Sequence, residues 1–323
     1  MSRMRGADIV VEYLIREKVP YVFGLCGHGN IGLLDGFYDR QDAIKVLTVR
    51  HEQAAGHMAD AYFRVAHHPV ATLTSCGPGS TNLLTALASA MMDSSAMLAI
   101  TGNVPTSQFN RAPFQETGRH FQAEFPNVMR PYVKKAFQPT RVEMLPVTLR
   151  QAFKTMLTGR PGPVGIDVPL NCFAEEAEVE VPEPGLWRKG IRTGGSGTTE
   201  SAEQALEMLL SAEKPCILAG NGAMISDAGK EILKLSKLLG IPVATTANGK
   251  GIIPEDNPLS LGVIGRNGTY MANESCRSCE VLLAVGAKFD DRQSSSWIPG
   301  YSFNIPPTQL IHVDIDPEEL GRN

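Results

Sequence analysis

VRHEQAAGHMADAYFR, residues Val49 to Arg64, decides how this chain folds. It follows an aliphatic run at Lys45–Val49 and opens a helix predicted over Glu52–Val65, so a strand passes directly into a helix. Glu52 falls in the first turn of that helix, where the helix dipole favours a carboxylate. Open α/β sheets bind ligands beyond the carboxyl ends of their strands. Glu52 is therefore either an ordinary helix charge or a functional carboxylate.

Short runs of β-branched and aliphatic residues alternate with helical patterns along the whole chain, as in parallel sheets covered on both faces. Strands are predicted at Tyr21–Gly24, Lys45–Val49, Val70–Thr74, Met97–Gly102, Val164–Val168, Cys216–Ala219, Val243–Thr246, Val281–Val285 and Gln309–Val313. Helices are predicted at Gly6–Lys18, Glu52–Val65, Ser80–Ser94, Val142–Thr158, Ser201–Ala212, Asp227–Leu239 and Thr269–Arg277. The pattern predicts an α/β fold with two doubly wound parallel-sheet domains.

The division into domains follows from length and from one change in composition. A chain of 323 residues exceeds what one hydrophobic core usually organises. Between about residues 174 and 200 the sequence becomes rich in acidic residues, Pro, Gly, Ser and Thr, without a periodic apolar face. We therefore predict a first domain over residues 1–175, a linker over 176–194 and a second domain over 195–323.

The overall composition excludes several classes of partner. The chain has 43% hydrophobic residues, a net charge of -4 and no basic runs. This composition indicates that it binds neither nucleic acid nor an anionic membrane. No segment approaches the roughly 20 apolar residues of a membrane span, and the start of the chain does not resemble a signal peptide. We expect a cytoplasmic protein that acts on a small molecule.

The six cysteines are scattered, so free thiols are expected. Cys276 and Cys279 form a C-x-x-C, which is half of a zinc site, a redox pair, or two small residues on a helix. No second pair with ligand spacing stands out, which favours the helix.

Two further clusters follow predicted strands. In TSCGPGSTN, Thr74 to Asn82, the turn Gly77-Pro78-Gly79 leaves no bulky side chain, so either a flat ring or phosphate approaches closely or the glycines serve packing alone. It is not a P-loop, because Gly-Lys-Ser/Thr is missing. In the stretch that runs from residue 101 to residue 120, Gln115 and Glu116 lie in a polar loop that is either functional or merely solvated.

Together these clusters resemble a known family. The succession RHEQAAGHMADAY, TSCGPGSTN, TGNVPTS, FQE and GRPGPV resembles the pyrimidine-binding domain of thiamine diphosphate enzymes of the acetolactate synthase type. The resemblance continues through GAKFDDR at 286–292 and HVDIDPEELG at 312–321, and it covers nearly the whole chain. It implies a pyrimidine domain followed by a Rossmann-like central domain.

The resemblance also implies roles for residues of the first domain. In that family a glutamate at the position of Glu52 hydrogen-bonds N1′ of the aminopyrimidine and so promotes deprotonation of the thiazolium C2. Gln115 matches a glutamine that reaches the active site, which makes Glu52 and Gln115 the catalytic candidates. Contacts with the cofactor are implied for Gly27, His28, Ser75, Gly77, Pro78, Gly79 and Asn82. Acetolactate synthases have proline or small residues at Cys26 and His28, so His28 either faces an oxygen-rich substrate or caps a helix.

The second domain resembles the family's central domain, which holds FAD in acetolactate synthases and ADP in oxalyl-CoA decarboxylases. Contacts with FAD or ADP are implied for Gly220, Gly222, Thr245, Gly265, Gly268, Asp290, Arg292, Asp314 and Ile315. Asn267 and Lys288 differ from the His and Arg that are commoner in flavin-binding relatives, so a bound and an empty domain both stay open.

The family's third domain carries Gly-Asp-Gly and a later Asn-Asn, which hold the Mg²⁺ that anchors the diphosphate. Gly-Asp-Gly does not occur in this sequence. We therefore expect a fragment that does not catalyse alone, with no metal ligand among its own residues. Because the active site of relatives lies between subunits, a homodimer or homotetramer is implied.

The resemblance implies a carboligase or decarboxylase acting on pyruvate or a related 2-oxo acid. Alternatives are another thiamine diphosphate lyase or transferase, of the oxalyl-CoA decarboxylase, sulfoacetaldehyde acetyltransferase or inositol-catabolic hydrolase type, or a catalytically silent nucleotide-binding module. The stretch from residue 101 to residue 120 lacks the adjacent His-His of pyruvate decarboxylases, which disfavours that class. The presence of Glu52 disfavours a glyoxylate carboligase.

Overall fold

In a computed structural model, described for residues 2–115, 124–188 and 197–322, the chain forms two compact units. The first unit extends to residue 192 and the second begins at residue 193. Each is built on a parallel sheet flanked by helices, which confirms the predicted α/β fold class. Among the described helices, none combines the length and the apolar character that crossing a membrane requires.

The first unit contains a six-stranded parallel sheet with the order β3-β2-β4-β5-β7-β6 and a small antiparallel sheet of β1 and β8. The strands are β1 (Ser2–Arg5), β2 (Tyr21–Gly24), β3 (Lys45–Thr48), β4 (Ala71–Thr74), β5 (Leu98–Asn103), β6 (Lys135–Phe137), β7 (Val164–Pro169) and β8 (Glu176–Val179). The helices are α1 (Gly6–Arg16), α2 (Ile31–Tyr38), α3 (Glu52–Ala66), α4 (Pro78–Asn82), α5 (Leu84–Met92), α6 (Phe125–Met129), α7 (Leu145–Leu157), α8 (Leu170–Ala174) and α9 (Gly185–Arg188). Single 3-10 turns occupy His28–Asn30, Thr106–Gln108, Arg130–Tyr132 and Val142–Met144.

Both faces of the six-stranded sheet are buried, as the continuous apolar strands predict. Leu98 and Ile100 of β5 belong to a core that includes residues of α1 and α7. Met97 and Ala99, which alternate with them, belong to a second core that includes residues of α3 and α5. Covering both faces leaves the carboxyl edge of the sheet as the place for a ligand.

Part of the segment predicted as a linker belongs to the first unit. Residues 176–179 form β8, which pairs antiparallel with β1, and Ala177, Val179 and Val181 are buried. The alternation of Glu with Ala or Val in EAEVEV is a strand pattern that the acidic composition hides. Further along, Nε of Arg188 donates to Oε2 of the buried Glu17 at 3.0 Å. The segment is therefore held on the first unit as far as residue 188.

The second unit contains a five-stranded parallel sheet with the order β11-β10-β9-β12-β13. Its strands are β9 (Pro215–Ala219), β10 (Val243–Thr245), β11 (Ser260–Val263), β12 (Val281–Val285) and β13 (Gln309–Val313). Its helices are α10 (Thr199–Ser211), α11 (Asn221–Ile225), α12 (Gly229–Leu239) and α13 (Tyr270–Ser278), with a 3-10 turn at Ala247–Gly249. Cys276 lies in α13 and Cys279 is its C-cap, both with free thiols.

Candidate active site

Four neighbouring strands of the first sheet deliver the predicted site residues to one edge. Strands β3, β2, β4 and β5 are adjacent and parallel, so their carboxyl ends open on the same side. Glu52 follows β3, the loop with His28 follows β2, the glycine turn follows β4, and the loop to Gln115 follows β5. The sheet order thus groups clusters that are far apart in sequence.

Glu52 is a buried carboxylate in which one of the two oxygens accepts a hydrogen bond from the protein. It is the first residue of α3, and Nδ1 of the N-cap residue His51 accepts from the backbone N–H of Gln53. The side chain of Glu52 is buried, with the residue only 8% exposed. Its Oε2 accepts from Nδ2 of Asn82 at 3.0 Å, while Oε1 has no hydrogen-bonding partner within the described ranges. Oε1 is therefore available to a ligand.

The turn after β4 places a glycine without a side chain beside that oxygen. Gly77 has φ +61° and ψ -118°, a conformation that requires glycine, and Pro78 begins α4. A Cβ added at Gly79 would lie 3.1 Å from Oε1 of Glu52. The hydroxyl of Ser80 donates to the carbonyl of Ser75 at 2.6 Å and fixes the turn. A side chain at position 79 would occupy the space next to the free carboxylate oxygen.

The loop after β2 packs directly on the same turn. A Cβ added at Gly27 would lie 2.4 Å from Cβ of Ser75, and the backbone N–H of Gly29 donates to Oγ of Ser75 at 3.1 Å. His28 is exposed and its Nδ1 lies 3.0 Å from Oε1 of Gln115. The N-cap of the 3-10 turn His28–Asn30 is Gly27, so the imidazole of His28 does not cap this turn. Two predicted site residues, 87 positions apart, are thus brought together, whereas Glu116 lies outside the described residues.

A buried carboxylate that sequence reasoning did not single out lies behind this edge. Asp167 of β7 is 1% exposed and accepts hydrogen bonds from Thr101, Asn103 and Gln138 at 2.7, 2.6 and 2.8 Å. Burial raises its pKa to about 6, although the three hydrogen bonds act in the opposite direction. Oδ1 of Asn103 accepts from the backbone N–H of Val104, so the network anchors the start of the loop that leads to Gln115. The sequence feature that could have identified Asp167 is its position as an acidic residue within an otherwise apolar strand.

This raised pKa predicts a pH dependence of stability. The carboxyl of Asp167 binds its proton more tightly in the folded protein than in the unfolded chain, where its pKa is 3.8. Protonated Asp167 therefore stabilises the fold fully below about pH 4, and this stabilisation is lost as pH rises through about 6. We expect the free energy of unfolding of the wild type, relative to Asp167→Asn, to fall by up to about 3 kcal/mol over that range. Urea unfolding across that range measures it. Asp39→Asn, which removes an exposed carboxyl, should show no such change, and a difference that does not depend on pH for Asp167→Asn would contradict the assignment.

The nine predicted positions of the second unit also lie at or beyond the carboxyl ends of its strands. Their glycines, however, face the chain's own backbone. A Cβ at Gly220, Gly265 or Gly268 would lie within 2.3 Å of the carbonyl oxygen of Gly286, Arg292 or Val263, respectively. A Cβ at Gly222 would also collide with the backbone, at Cα of Gly286. Close packing explains these glycines without a ligand.

Side chains in the same region serve local structure. Oδ1 of Asp290 accepts from the backbone N–H groups of Arg292 and Gln293, both at 3.0 Å. Thr245 donates to the carbonyl of Gly262 at 3.5 Å. Asp314 accepts from the N–H of Asp316 at 2.9 Å, and burial raises its pKa. Ile315 is 42% exposed.

Comparison with known proteins gives matches to both units. Residues 4–124 match the model described as thiamine pyrophosphate enzyme, N-terminal TPP binding domain, and residues 202–323 match thiamine pyrophosphate enzyme, central domain. The chain is 38% identical over 322 residues to a probable acetolactate synthase large subunit of Methanocaldococcus jannaschii, covering 99% of this chain and 52% of that protein.

Two further relatives have similar names. A probable acetolactate synthase large subunit of Methanococcus aeolicus is 40% identical over 99% of this chain and 52% of its own length. An acetolactate synthase of Arthrospira platensis is 37% identical over 100% of this chain and 55% of its own length. The chain spans about half the length of the curated relatives it matches.

Proposed function

Because the chain belongs to the family of thiamine pyrophosphate enzymes, we propose that its first unit binds the aminopyrimidine of thiamine diphosphate beside Glu52. We further propose that the protein is a carboligase or decarboxylase acting on pyruvate or a related 2-oxo acid. The observation that carries the proposal is the buried carboxylate of Glu52, with one oxygen held by Asn82 and the other open toward Gly79. The names of the relatives support the reaction class.

The residues present fit this cofactor. Oε1 of Glu52, which is unpaired among the described residues, suits a ring nitrogen with which a proton is shared, and the lack of a side chain at Gly79 would let a flat ring approach that oxygen. Asn82 orients the carboxylate through its other oxygen. When bound, thiamine diphosphate supplies the electron sink for cleavage or formation of a carbon–carbon bond next to a carbonyl. Glu52 would hold the shared proton at Oε1, and Asn82 would keep that oxygen turned toward the ring.

Gly79→Val tests whether the space beside Glu52 is the binding space. The added side chain would fill it, so we expect the dissociation constant for thiamine diphosphate with Mg²⁺ to rise about tenfold to 100-fold, the equivalent of overpacking by a few kcal/mol. Calorimetric titration measures it. Gly185→Val is the matched control, because a Cβ there meets open space. Binding unaffected by Gly79→Val would contradict the placement, and no binding to the wild type would favour a silent module.

Mg²⁺ as the metal of the diphosphate, and a homodimer or homotetramer, are parts of the same proposal. Support for association comes from α3, the helix that begins with Glu52, which exposes Met58 (41%) and Val65 (87%). Light scattering of the protein with and without thiamine diphosphate tests the oligomeric state, and a monomer under both conditions would contradict it.

For the second unit we propose that any FAD or ADP is held by side chains rather than by a glycine cradle. Two observations support this proposal. Backbone atoms occupy the space where a Cβ would lie at Gly220, Gly222, Gly265 and Gly268. In contrast, the polar residues Arg292 and Asp314 lie beyond the strand ends. We expect Arg292→Met to weaken binding of FAD or ADP about tenfold, as loss of one charge-assisted hydrogen bond would. Titration followed by flavin fluorescence or by calorimetry measures it. Binding that Arg292→Met leaves unchanged would contradict this proposal.

A further inference from the structure

The contact between His28 and Gln115 is not used in the chemistry proposed for Glu52. His28 follows β2 and Gln115 lies in the loop after β5, and Nδ1 of His28 is 3.0 Å from Oε1 of Gln115. Both side chains are exposed, so a ligand can reach them. Nδ1 is also 3.8 Å from the sulfur of the buried Cys76. The imidazole is thus oriented through one nitrogen by groups from two other loops.

The contact between His28 and Gln115 indicates which tautomer the imidazole adopts. The atom of Gln115 that lies at Nδ1 is the amide oxygen, which can only accept a hydrogen bond, so this geometry assigns the proton to Nδ1. In the neutral ring, Nε2 then has the lone pair and acts as an acceptor. Throughout the described ranges, Nε2 has no hydrogen-bonding partner. His28 therefore presents an unused acceptor, which a hydroxyl group of a ligand satisfies and a methyl group does not.

A continuous chain of close contacts connects His28 to Glu52. Gly27, next to His28, packs against Ser75, because a Cβ added at Gly27 would lie 2.4 Å from the Cβ of Ser75. The same Ser75 Cβ would lie 3.6 Å from a Cβ at Gly79, which faces Oε1 of Glu52. His28 thus stands on the loop that forms the wall next to the proposed cofactor space.

We propose that His28, held by Gln115 as the Nδ1–H tautomer, accepts a hydrogen bond at Nε2 from a hydroxyl group of the substrate. The site then selects a hydroxyl-bearing carbonyl substrate over its counterpart without the hydroxyl. This inference rests on the proposed function, because it names the substrate class of that same site. Gln115 acts as the positioning residue, and His28 as the residue that determines specificity.

The tautomer is measured by nitrogen NMR of the full chain with isotopically labelled histidines. We expect His28, assigned by the signal lost in His28→Phe, to be the Nδ1–H form, and Gln115→Leu to shift it toward the Nε2–H form. The exposed His57 of α3 is the internal control and should not change with Gln115→Leu. An Nε2–H form in the wild type, or no response to Gln115→Leu, would overturn the role of Gln115.

Selectivity is measured as the ratio of kcat/KM for hydroxypyruvate and pyruvate in the protein expressed from its complete gene. We expect the wild type to prefer hydroxypyruvate by about tenfold, the equivalent of one hydrogen bond. His28→Phe should remove the preference and His28→Gln, which keeps an acceptor, should retain part of it, while His57→Phe leaves it unchanged.

The outcomes separate the two proposals. A ratio that His28→Phe leaves unaltered, in a protein that Glu52→Gln inactivates, would overturn the inference and leave the proposed function intact. If neither substrate is consumed with thiamine diphosphate, the proposed function fails and the substrate class fails with it. The tautomer result then still decides whether Gln115 orients His28.

Discussion

Glu52→Gln is expected to lower kcat for consumption of pyruvate by about 100-fold or more, the range typical of losing a positioned proton-transfer group. Oε1 of Glu52 lies beside Gly79, and the other carboxylate oxygen, Oε2, accepts a hydrogen bond from Asn82. The variant keeps the size of the side chain and an oxygen that can still accept from Asn82. It removes only the ability to share a proton. A kinetic assay of the protein expressed from its complete gene, with thiamine diphosphate and Mg²⁺, measures the effect.

The control for this prediction is stability. Because Glu52→Gln preserves shape and the contact with Asn82, we expect the free energy of unfolding to change by less than about 1 kcal/mol. Gln53→Glu, one position along α3, should leave kcat near the wild-type value, because the carboxylate it introduces stands at another position of the helix. Unchanged turnover in Glu52→Gln would contradict the role proposed for this residue.

The second large effect concerns stability and the segment after β8. Glu17 is fully buried, and its Oε2 accepts two hydrogen bonds from the guanidinium of Arg188. Burial raises the pKa of Glu17, and Arg188 is the nearby charge that opposes the rise. Arg188→Met leaves a buried carboxylate without its cation, so we expect a loss of about 3–5 kcal/mol in the free energy of unfolding at neutral pH. Chemical denaturation measures it.

A matched ion pair on the same segment provides the control. Arg3 and Glu176 join β1 to β8 at 2.6 Å, but the side chain of Arg3 is 76% exposed. We expect Arg3→Met to cost less than about 1 kcal/mol. The loss in Arg188→Met should also shrink on acidification, because protonation of Glu17 removes the uncompensated charge. Equal costs for the two variants would show that burial of Glu17 does not matter.

Regular apolar strands were predictable from sequence, whereas short or charged ones were not. Strands β2, β12 and β13 have the predicted bounds. Strands β1 and β8 contain too many charged residues to be predicted as strands from their own sequences. They are stable because they pair with each other. The three-residue β6 and the glycine-containing β11 carry too little pattern. The helix predicted over Ser80–Ser94 is interrupted at Leu83, which separates α4 from α5.

The clusters of the candidate site could be predicted one by one from the sequence, but their arrangement in space could not. Strand-to-helix patterns pointed to Glu52 and Gly77, because each cluster is local in sequence. The hydrogen bond between His28 and Gln115 spans 87 residues, and the bond from Thr101 to Asp167 spans 66. Both depend on which strands are neighbours in the sheet, and that order is set by packing rather than by local pattern.

The most direct test of the central claim is a crystal structure of the protein with thiamine diphosphate and Mg²⁺. We expect the aminopyrimidine in the space beside Gly79, with a ring nitrogen within hydrogen-bonding distance of Oε1 of Glu52 and with Oε2 still bound to Asn82. An aminopyrimidine bound elsewhere, or one whose nitrogens do not contact Glu52, would contradict the account.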